Sequence, residues 1–362
     1  MSLGSKTYCA IGVMSGTSLD GIDIVCCNFH VNKGLWSFEV LASEEIPYNN
    51  EWKTNLSEAF YKTNSEIQEL DKVYGRFLGE KIKAFIKTHH LKPELIASHG
   101  HTIFHFPEKG YTLQIGDGSA IASATETLTI NNFRAEDVRK GGQGAPLVPV
   151  GDKLLFGQYD ICLNIGGIAN ISYDFEGSRI AYDVCPANQP LNFLAEKKGL
   201  SFDADGNNAR SGKLNPELLD QLNRLGYYSQ TFPKSLGREW VESEFIPFIN
   251  TSDLDYDSLL RTVTEHIAVQ IANATNQVHH AKILATGGGA KNKFLMDRIA
   301  QLCKHDIILP SPEIIDFKEA IVFAFLGVLK FRGETNCYAS VTGASEDSSS
   351  GNLNLPDQKN GL

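Results

Sequence analysis

The sequence predicts an α/β protein made of two similar lobes, and three observations lead there. A meander of three strand-like runs opens the chain and recurs in its middle. Each copy is followed by helical periodicity and further short strands. A length of 362 residues with 42% hydrophobic content suffices for two domains with separate cores. Duplication of one supersecondary unit suggests two α/β lobes with a cleft between them. The expected division is an N-terminal lobe over 7–156, a C-terminal lobe over 157–344 and an irregular tail over 345–362.

The first meander is TYCAIGVM, GIDIVCCNFHV and GLWSFEVLAS, rich in β-branched and aromatic residues and separated by Gly or Asn turns. From Ser65 to His90, the residues Ile67, Leu70, Val73, Tyr74, Phe77, Leu78, Ile82, Phe85 and Ile86 recur at helical spacing, and Pro93 prevents continuation. ELIASHG then reads as a short buried strand. After APLVPVGDKLLF, near Gly157, the second meander follows as DICLNIGG, IANISYDFEG and SRIAYDV. Tyr256 to His279 reads as a long helix, KILATGGG as a strand ending in glycines, and Ala290 to Leu302 as another helix. From Asp316, DFKEAIVFAFLGVLKF reads as a largely buried helix. The closing stretch TGASEDSSSGNLNLPDQKNGL has too few apolar residues for a core of its own.

Composition narrows the function. A net charge of −10 argues against a nucleic-acid surface, which shows as a basic excess or basic clusters. Seven cysteines, with Cys26 and Cys27 adjacent and no CxxC pair, indicate neither a disulfide framework nor a zinc knuckle, and they fit a reducing cytoplasm. They read as small core residues. MSLGSKTY lacks an apolar signal core and no run of about eighteen apolar residues occurs, so no membrane partner is expected.

The turn within GVMSGTSLDGIDIV carries more polar chemistry than a hairpin needs. Backbone N–H groups of a glycine-containing turn can converge on phosphate oxygens, and the Ser and Thr hydroxyls add donors. Asp20 and Asp23 would repel a phosphate unless Mg²⁺, held through carboxylate, phosphate and water, stood between them. The stretch Gly16, Thr17, Ser18, Leu19, Asp20, Gly21, Ile22 and Asp23 is therefore the candidate nucleotide site, with Asp20 and Asp23 as metal ligands. A merely polar hairpin is the alternative. NIGGIAN places Gly166 and Gly167 at the corresponding turn of the second lobe. ATGGGAKN places Gly287, Gly288 and Gly289 between a strand and a helix, where either a phosphate contact or a structural turn is expected. GxxxxGK[ST] and a strand-borne GxGxxG are both absent. His99, His101 and His105 form an HxHxxxH run, but no cysteine or carboxylate motif completes a zinc set, although strand alternation would put the first two on one side.

GVMSGTSLDGID, SHGHTIFHFP, LQIGDGSAIA, NFRAEDVRKGGQGAPLVP, NIGGIANIS, FDADGNNARSG, ATGGGAKN and KEAIVFAF occur in an order that resembles the anhydro-N-acetylmuramic acid kinases, from about Ile11 to Ala344. The resemblance implies two ribonuclease-H-like lobes of the actin, hexokinase and Hsp70 superfamily around a nucleotide cleft, with ATP and Mg²⁺ as cofactors. It implies that 1,6-anhydro-N-acetylmuramic acid is phosphorylated at O6 while water opens the anhydro bridge at C1, in peptidoglycan recycling. The implied partner is a small amino sugar, and a homodimer is compatible with the likeness.

By the same resemblance Asp183, ending SRIAYDV, is the catalytic base; by itself it reads as a strand-end cap. The family continues from this Asp as TGPGN, with another Asp four residues past that Asn, whereas this chain reads VCPANQPLN. Pro186 and Asn188 match, and Asn188 is assigned to the substrate. Cys185, Ala187 and Asn192 depart, which removes the second carboxylate. Glu319 would contact the sugar or stabilise positive charge at C1, although an acidic residue on a helix face is ordinarily solvated. Arg134 would fork onto the lactyl carboxylate, or else pair with Glu136 or Asp137. The likeness also sets SHGHT against the sugar, with His101 as a hydroxyl partner. A kinase for another sugar and a non-catalytic ATP-binding switch of actin or Hsp70 type stand as alternatives, because fold alone does not choose a substrate.

Overall fold

Twelve residues that alternate or run apolar from Gly21 to Asn32 pair with a strand on either side, with one bulge between Cys26 and Cys27, and the first sheet is built around them. The computed structural model describes residues 5–16, 19–250, 253–278 and 280–356. They divide into unit 1, the chain up to Phe156 together with Phe317 onward, and unit 2, Gly157–Asp316.

In unit 1, β1 (Lys6–Met14), β2 (Gly21–Asn32) and β3 (Leu35–Pro47) form an antiparallel meander. β4 (Leu95–Ser98) lies parallel to β1, a hairpin of β5 (His101–Phe106) and β6 (Tyr111–Ile115) follows, and β7 (Leu128–Asn131) lies parallel to β4. Between β3 and β4 runs the helix Asn64–Thr88, longer by a residue at its start and shorter at its end than the periodicity suggests. Thr63 and Glu66 close a capping box at its N-terminus, satisfying two backbone donors that would otherwise be orphaned. Its apolar stripe, Ile67, Leu70, Tyr74, Leu78, Ile82 and Phe85, packs in one cluster with Ile11, Val13, Ile22 and Ile24 of β1 and β2.

Unit 2 repeats the plan. β8 (Ile161–Ile165), β9 (Ile168–Phe175) and β10 (Ser178–Pro186) form the meander, and β11 (Lys282–Thr286) and β12 (Asp306–Ile308) add parallel to β8. The helix Tyr256–Thr275 ends short of the expected His279, and its buried face joins Ile161, Leu163, Ile171 and Tyr182 in the core. The five strands of the second sheet and the first five of the six-stranded first sheet lie in the same permutation: third, second, first, fourth, fifth. The first three are antiparallel and the last two run parallel to the first, which is the ribonuclease-H-like plan that the resemblance implies.

The division differs from the sequence expectation at the C-terminus. The C-terminal lobe was expected to run to residue 344, but the chain returns to unit 1 at Phe317, inside the helix Pro312–Arg332. Packing explains the return. Gly12 in β1 has no side chain, and a Cβ there would lie 1.9 Å from the Ala320 carbonyl oxygen, so strand and helix meet backbone to backbone. Phe323 packs on His99 and Phe133, Phe325 packs on Phe29 and Trp36, and Lys318 pairs with Asp152 at 2.7 Å with both side chains buried. The 345–362 stretch is also not wholly irregular: β13 (Asn352–Asn354) pairs antiparallel with β7. Asn336 anchors it by donating to the Ser350 carbonyl at 2.9 Å and accepting from the Ser350 N–H at 2.6 Å. Backbone pairing holds it where apolar burial does not.

Candidate active site

In unit 1 the β1–β2 turn leaves the sheet after Met14. Thr17 and Ser18 lie outside the described residues. Ser15 is buried, and its hydroxyl contacts the Tyr48 hydroxyl at 2.7 Å and His101 Nδ1 at 3.0 Å; the Tyr48 hydroxyl in turn meets that of Tyr74. A chain of hydroxyls and one imidazole thus fixes the root of the turn. Burial pushes His101 down to about 4, so the imidazole is neutral. Its Nδ1 serves Ser15, which leaves only Nε2 for a ligand.

Leu19 takes φ +59°, a left-handed conformation that costs a leucine energy, and its N–H reaches back to the Gly16 carbonyl at 3.4 Å. Asp20 is exposed and Asp23 half-buried. Gly21 has an internal reason to be glycine, since a Cβ would lie 2.4 Å from the Ile46 carbonyl oxygen. Ile22 was placed with the nucleotide contacts, but its side chain is fully buried in the unit 1 core, because β2 alternates and Asp23, not Ile22, points away from that core. Only its backbone could touch a nucleotide.

Arg134 pairs with neither Glu136 nor Asp137. Glu136 is held by Arg139, and Asp137 accepts from the Gly144 N–H at 2.7 Å and the Thr342 hydroxyl at 2.7 Å, organising the GGQGAP loop. The Arg134 guanidinium donates from Nε to His99 Nε2 at 3.0 Å and from Nη1 to the Gly144 carbonyl at 2.7 Å. His99 can accept only if its proton sits on Nδ1, where it donates to the Gly100 carbonyl at 2.9 Å. Burial, with the Arg134 charge beside it, holds His99 well below its ordinary value, which keeps this tautomer neutral. The guanidinium is therefore fixed in orientation with Nη2 still to offer. Glu319 is exposed by area yet ringed by protein; that bulk pushes its carboxyl up, while Arg134 and Lys318 pull it back. The three histidines do not share a side. Gly100 at φ +72° breaks the alternation, so His99 faces Arg134, His101 faces Ser15 and His105 contacts Thr112.

In unit 2 the glycine turn and Asn188 come together. The N–H groups of Ala187, Asn188 and Gln189 donate to the carbonyls of Gly166 and Gly167 at 2.8–3.2 Å, and Asn188 Nδ2 donates to the Ile165 carbonyl at 3.2 Å. A Cβ on Gly288 would meet nothing closer than Asn188 Nδ2, at 3.6 Å. Gly287, at φ +82°, and Gly289 are demanded by the fold, because Cβ atoms there would lie 2.6 and 2.2 Å from Asn164 and Ile165. Gly166 and Gly288 are not demanded: their Cβ atoms would find ordinary room, at 3.4 and 3.6 Å from the nearest neighbours. Glycine at these two positions leaves the backbone open to close approach by a ligand.

Asp183 lies in β10 directly opposite Asn170 of β9, which lies opposite Asn164 of β8. A polar row thus crosses the sheet on the face turned away from Leu163, Ile171 and Tyr182. All three side chains are half-buried. Burial pushes the Asp183 carboxyl up to about 6, against the Leu236 N–H, which donates to Oδ2 at 2.8 Å and favours the ionised form. The Tyr227 hydroxyl donates to the Asp183 carbonyl at 2.5 Å. Asn164 and Asn170 escaped the sequence reading, although they bracket the glycines in NIGGIAN and a two-residue turn sets them face to face. The 227–236 segment that holds Asp183 left no signal, being distant in sequence.

A carboxylate poised near neutrality beside a glycine turn, on one of two copies of the same five-stranded plan, belongs to the ribonuclease-H-like phosphotransferases. Residues 8–355 match the family described as anhydro-N-acetylmuramic acid kinase. A protein of that name from Aliivibrio fischeri is 35% identical over 361 residues, covering 94% of this chain and 97% of its own length; one from Sulfurovum sp. is 34% identical, covering 93% and 96%. The chain belongs to the anhydro-N-acetylmuramic acid kinase family. A Streptomyces griseus ROK family glucokinase, solved with glucose and AMPPNP, is a more distant likeness: 11% identity, TM-score 0.40, covering 88% of this chain and 98% of its own.

Proposed function

We propose that the chain converts 1,6-anhydro-N-acetylmuramic acid, ATP and water into N-acetylmuramic acid 6-phosphate and ADP, as a cytoplasmic step of peptidoglycan recycling. Water adds to C1, the C1–O6 bond breaks, and O6 takes the γ-phosphoryl group. Asp183 accepts the proton of that water through Oδ1, since Oδ2 is occupied by the Leu236 N–H. Asn170, directly across the strand pair, orients the same water. Arg134, fixed by His99, receives the lactyl carboxylate, and Glu319 faces the charge that builds at C1.

The open glycines Gly166 and Gly288, with Asn188 bound beneath them, suit the approach of phosphate or nucleoside atoms. Among the described residues no group of three metal-ligating side chains occurs. Mg²⁺ keeps several waters and takes one or two carboxylates plus phosphate oxygens, and Asp20 and Asp23 would be the protein's share. The metal would neutralise phosphate charge.

The observation that carries the reading is the placement of Asp183 opposite Asn170 with one carboxylate oxygen held by the Leu236 N–H; burial pushes that carboxyl up to about 6, which suits general-base work at neutral pH. Incubation with the anhydro sugar, ATP and Mg²⁺ in ¹⁸O-labelled water tests it. The expected product carries both a phosphate and one ¹⁸O at C1; phosphorylated product without label would overturn it.

A further inference from the structure

Unit 2 holds a recess of about 190 Å³ on the other face of β10, lined by that strand, by the 228–234 segment and by the last turns of the helix Tyr256–Thr275. Its chemistry is lopsided. Gln230, Gln270 and Asn273 contribute carboxamides, and Lys234 contributes the only charge; no carboxylate lines it. The Lys234 ammonium lies over the rings of Tyr227 and Tyr182, at 4.5 and 5.7 Å, and reaches the Tyr227 carbonyl at 3.4 Å. No carboxylate among the described residues pairs with it. Tyr182 and Phe232 stack with their planes 9° apart, giving the recess an apolar wall.

A half-buried cation without a counter-ion, flanked by amide donors and backed by aromatic rings, calls for an anion with a short apolar body. The volume is about that of six waters, room for a ligand of a few carbons. We propose that this recess binds a small organic carboxylate, its charge on Lys234 and its body against Tyr182 and Phe232, and that occupancy holds the 227–236 segment in place. That segment is bonded to Asp183 at three points: the Tyr227 hydroxyl to its carbonyl, its own N–H to the Lys234 carbonyl at 3.4 Å, and the Leu236 N–H to its carboxylate. A ligand in the recess therefore grips, from behind, the loop that sets the position of Asp183. The consequence for turnover rests on Asp183 being the base, whereas the binding and the loop ordering do not.

The probe is sodium propionate, with neutral propionamide of the same shape as control, read on the full chain by saturation-transfer NMR at matched ionic strength. Propionate binding in about the millimolar range is expected, as for one partly exposed ion pair with a few hydrogen bonds. It should persist in Arg134→Ala and vanish in both Lys234→Met and Asn273→Asp, two near-isosteric changes. Hydrogen exchange of the 227–236 amides should slow about fivefold with propionate, the low end of ordinary coupling. Equal binding of propionamide, binding that survives both recess variants, binding lost in Arg134→Ala, or unchanged exchange would each overturn the proposal. If these hold while Asp183→Asn turns over normally, it is the base assignment that fails and not the recess.

Discussion

Asp183 is ionised at neutral pH against the pull of its surroundings, and two consequences follow. Its substitution by Asn keeps an oxygen for the Leu236 N–H but removes the base, so coupled turnover should fall by about 10²–10⁴-fold with nucleotide binding retained. The wild-type rate should fall as pH drops through about 6, where the carboxylate takes its proton. The sign for stability is the reverse. A carboxyl whose folded pKa is raised above its unfolded value favours the folded state most at low pH and loses that contribution as pH rises through 6. Asp183→Asn should therefore have a higher Tm than wild type at pH 7.5, and the gap should close near pH 4. Asn170→Ala should lower kcat by roughly 10–100-fold through a misplaced water, leaving the KM for ATP little changed; an unaltered kcat would remove it from the site. Asp183 was legible because a family motif points at it. Asn170 was not, since a polar residue flanking a glycine turn looks like turn chemistry until the strand register sets it opposite an aspartate.

The helix Pro312–Arg332 shows what sequence reveals of an element and what it hides. Its existence was plain, because a long apolar run between Pro312 and Gly333 has few other uses. Which sheet it covers was hidden: apolar nearly all round over Ala320–Leu329, it has no stripe that selects a face. The choice is made by Gly12, by the phenylalanine contacts and by the buried Lys318–Asp152 pair. Lys318→Met leaves a carboxylate buried without its cation and should cost about 3–5 kcal/mol in urea unfolding, while adding Asp152→Asn should restore much of that. A double variant as unstable as the single one would show that Lys318 acts by packing alone. The helix Asn64–Thr88 was read to within two residues because its apolar spacing is regular and its cap is local. The β5–β6 hairpin was missed because Gly100 interrupts the strand pattern.

At the scale of the molecule, duplication was legible from two meanders, and the matching strand permutations bear out the α/β, ribonuclease-H-like plan. The return of the chain to unit 1 was not, because contacts between residues three hundred positions apart leave no local trace. Unit 2 is continuous and unit 1 is not. A fragment spanning 157–316 should unfold cooperatively in urea, whereas 1–156 alone, with one face of its sheet uncovered, should show no such transition and should bind hydrophobic dye. A sharp transition for 1–156 would mean that the C-terminal helix is dispensable to its core.

Synthesis order follows from that discontinuity. The ribosome makes most of the first sheet before unit 2 and its covering helix only after it, so the unit begun first is completed second. Until then the nascent chain displays Phe29 and Trp36 without Phe325, the partner against which they close. Loss of the 317–332 segment would thus spoil the sheet made before it and spare the 157–316 unit made in between.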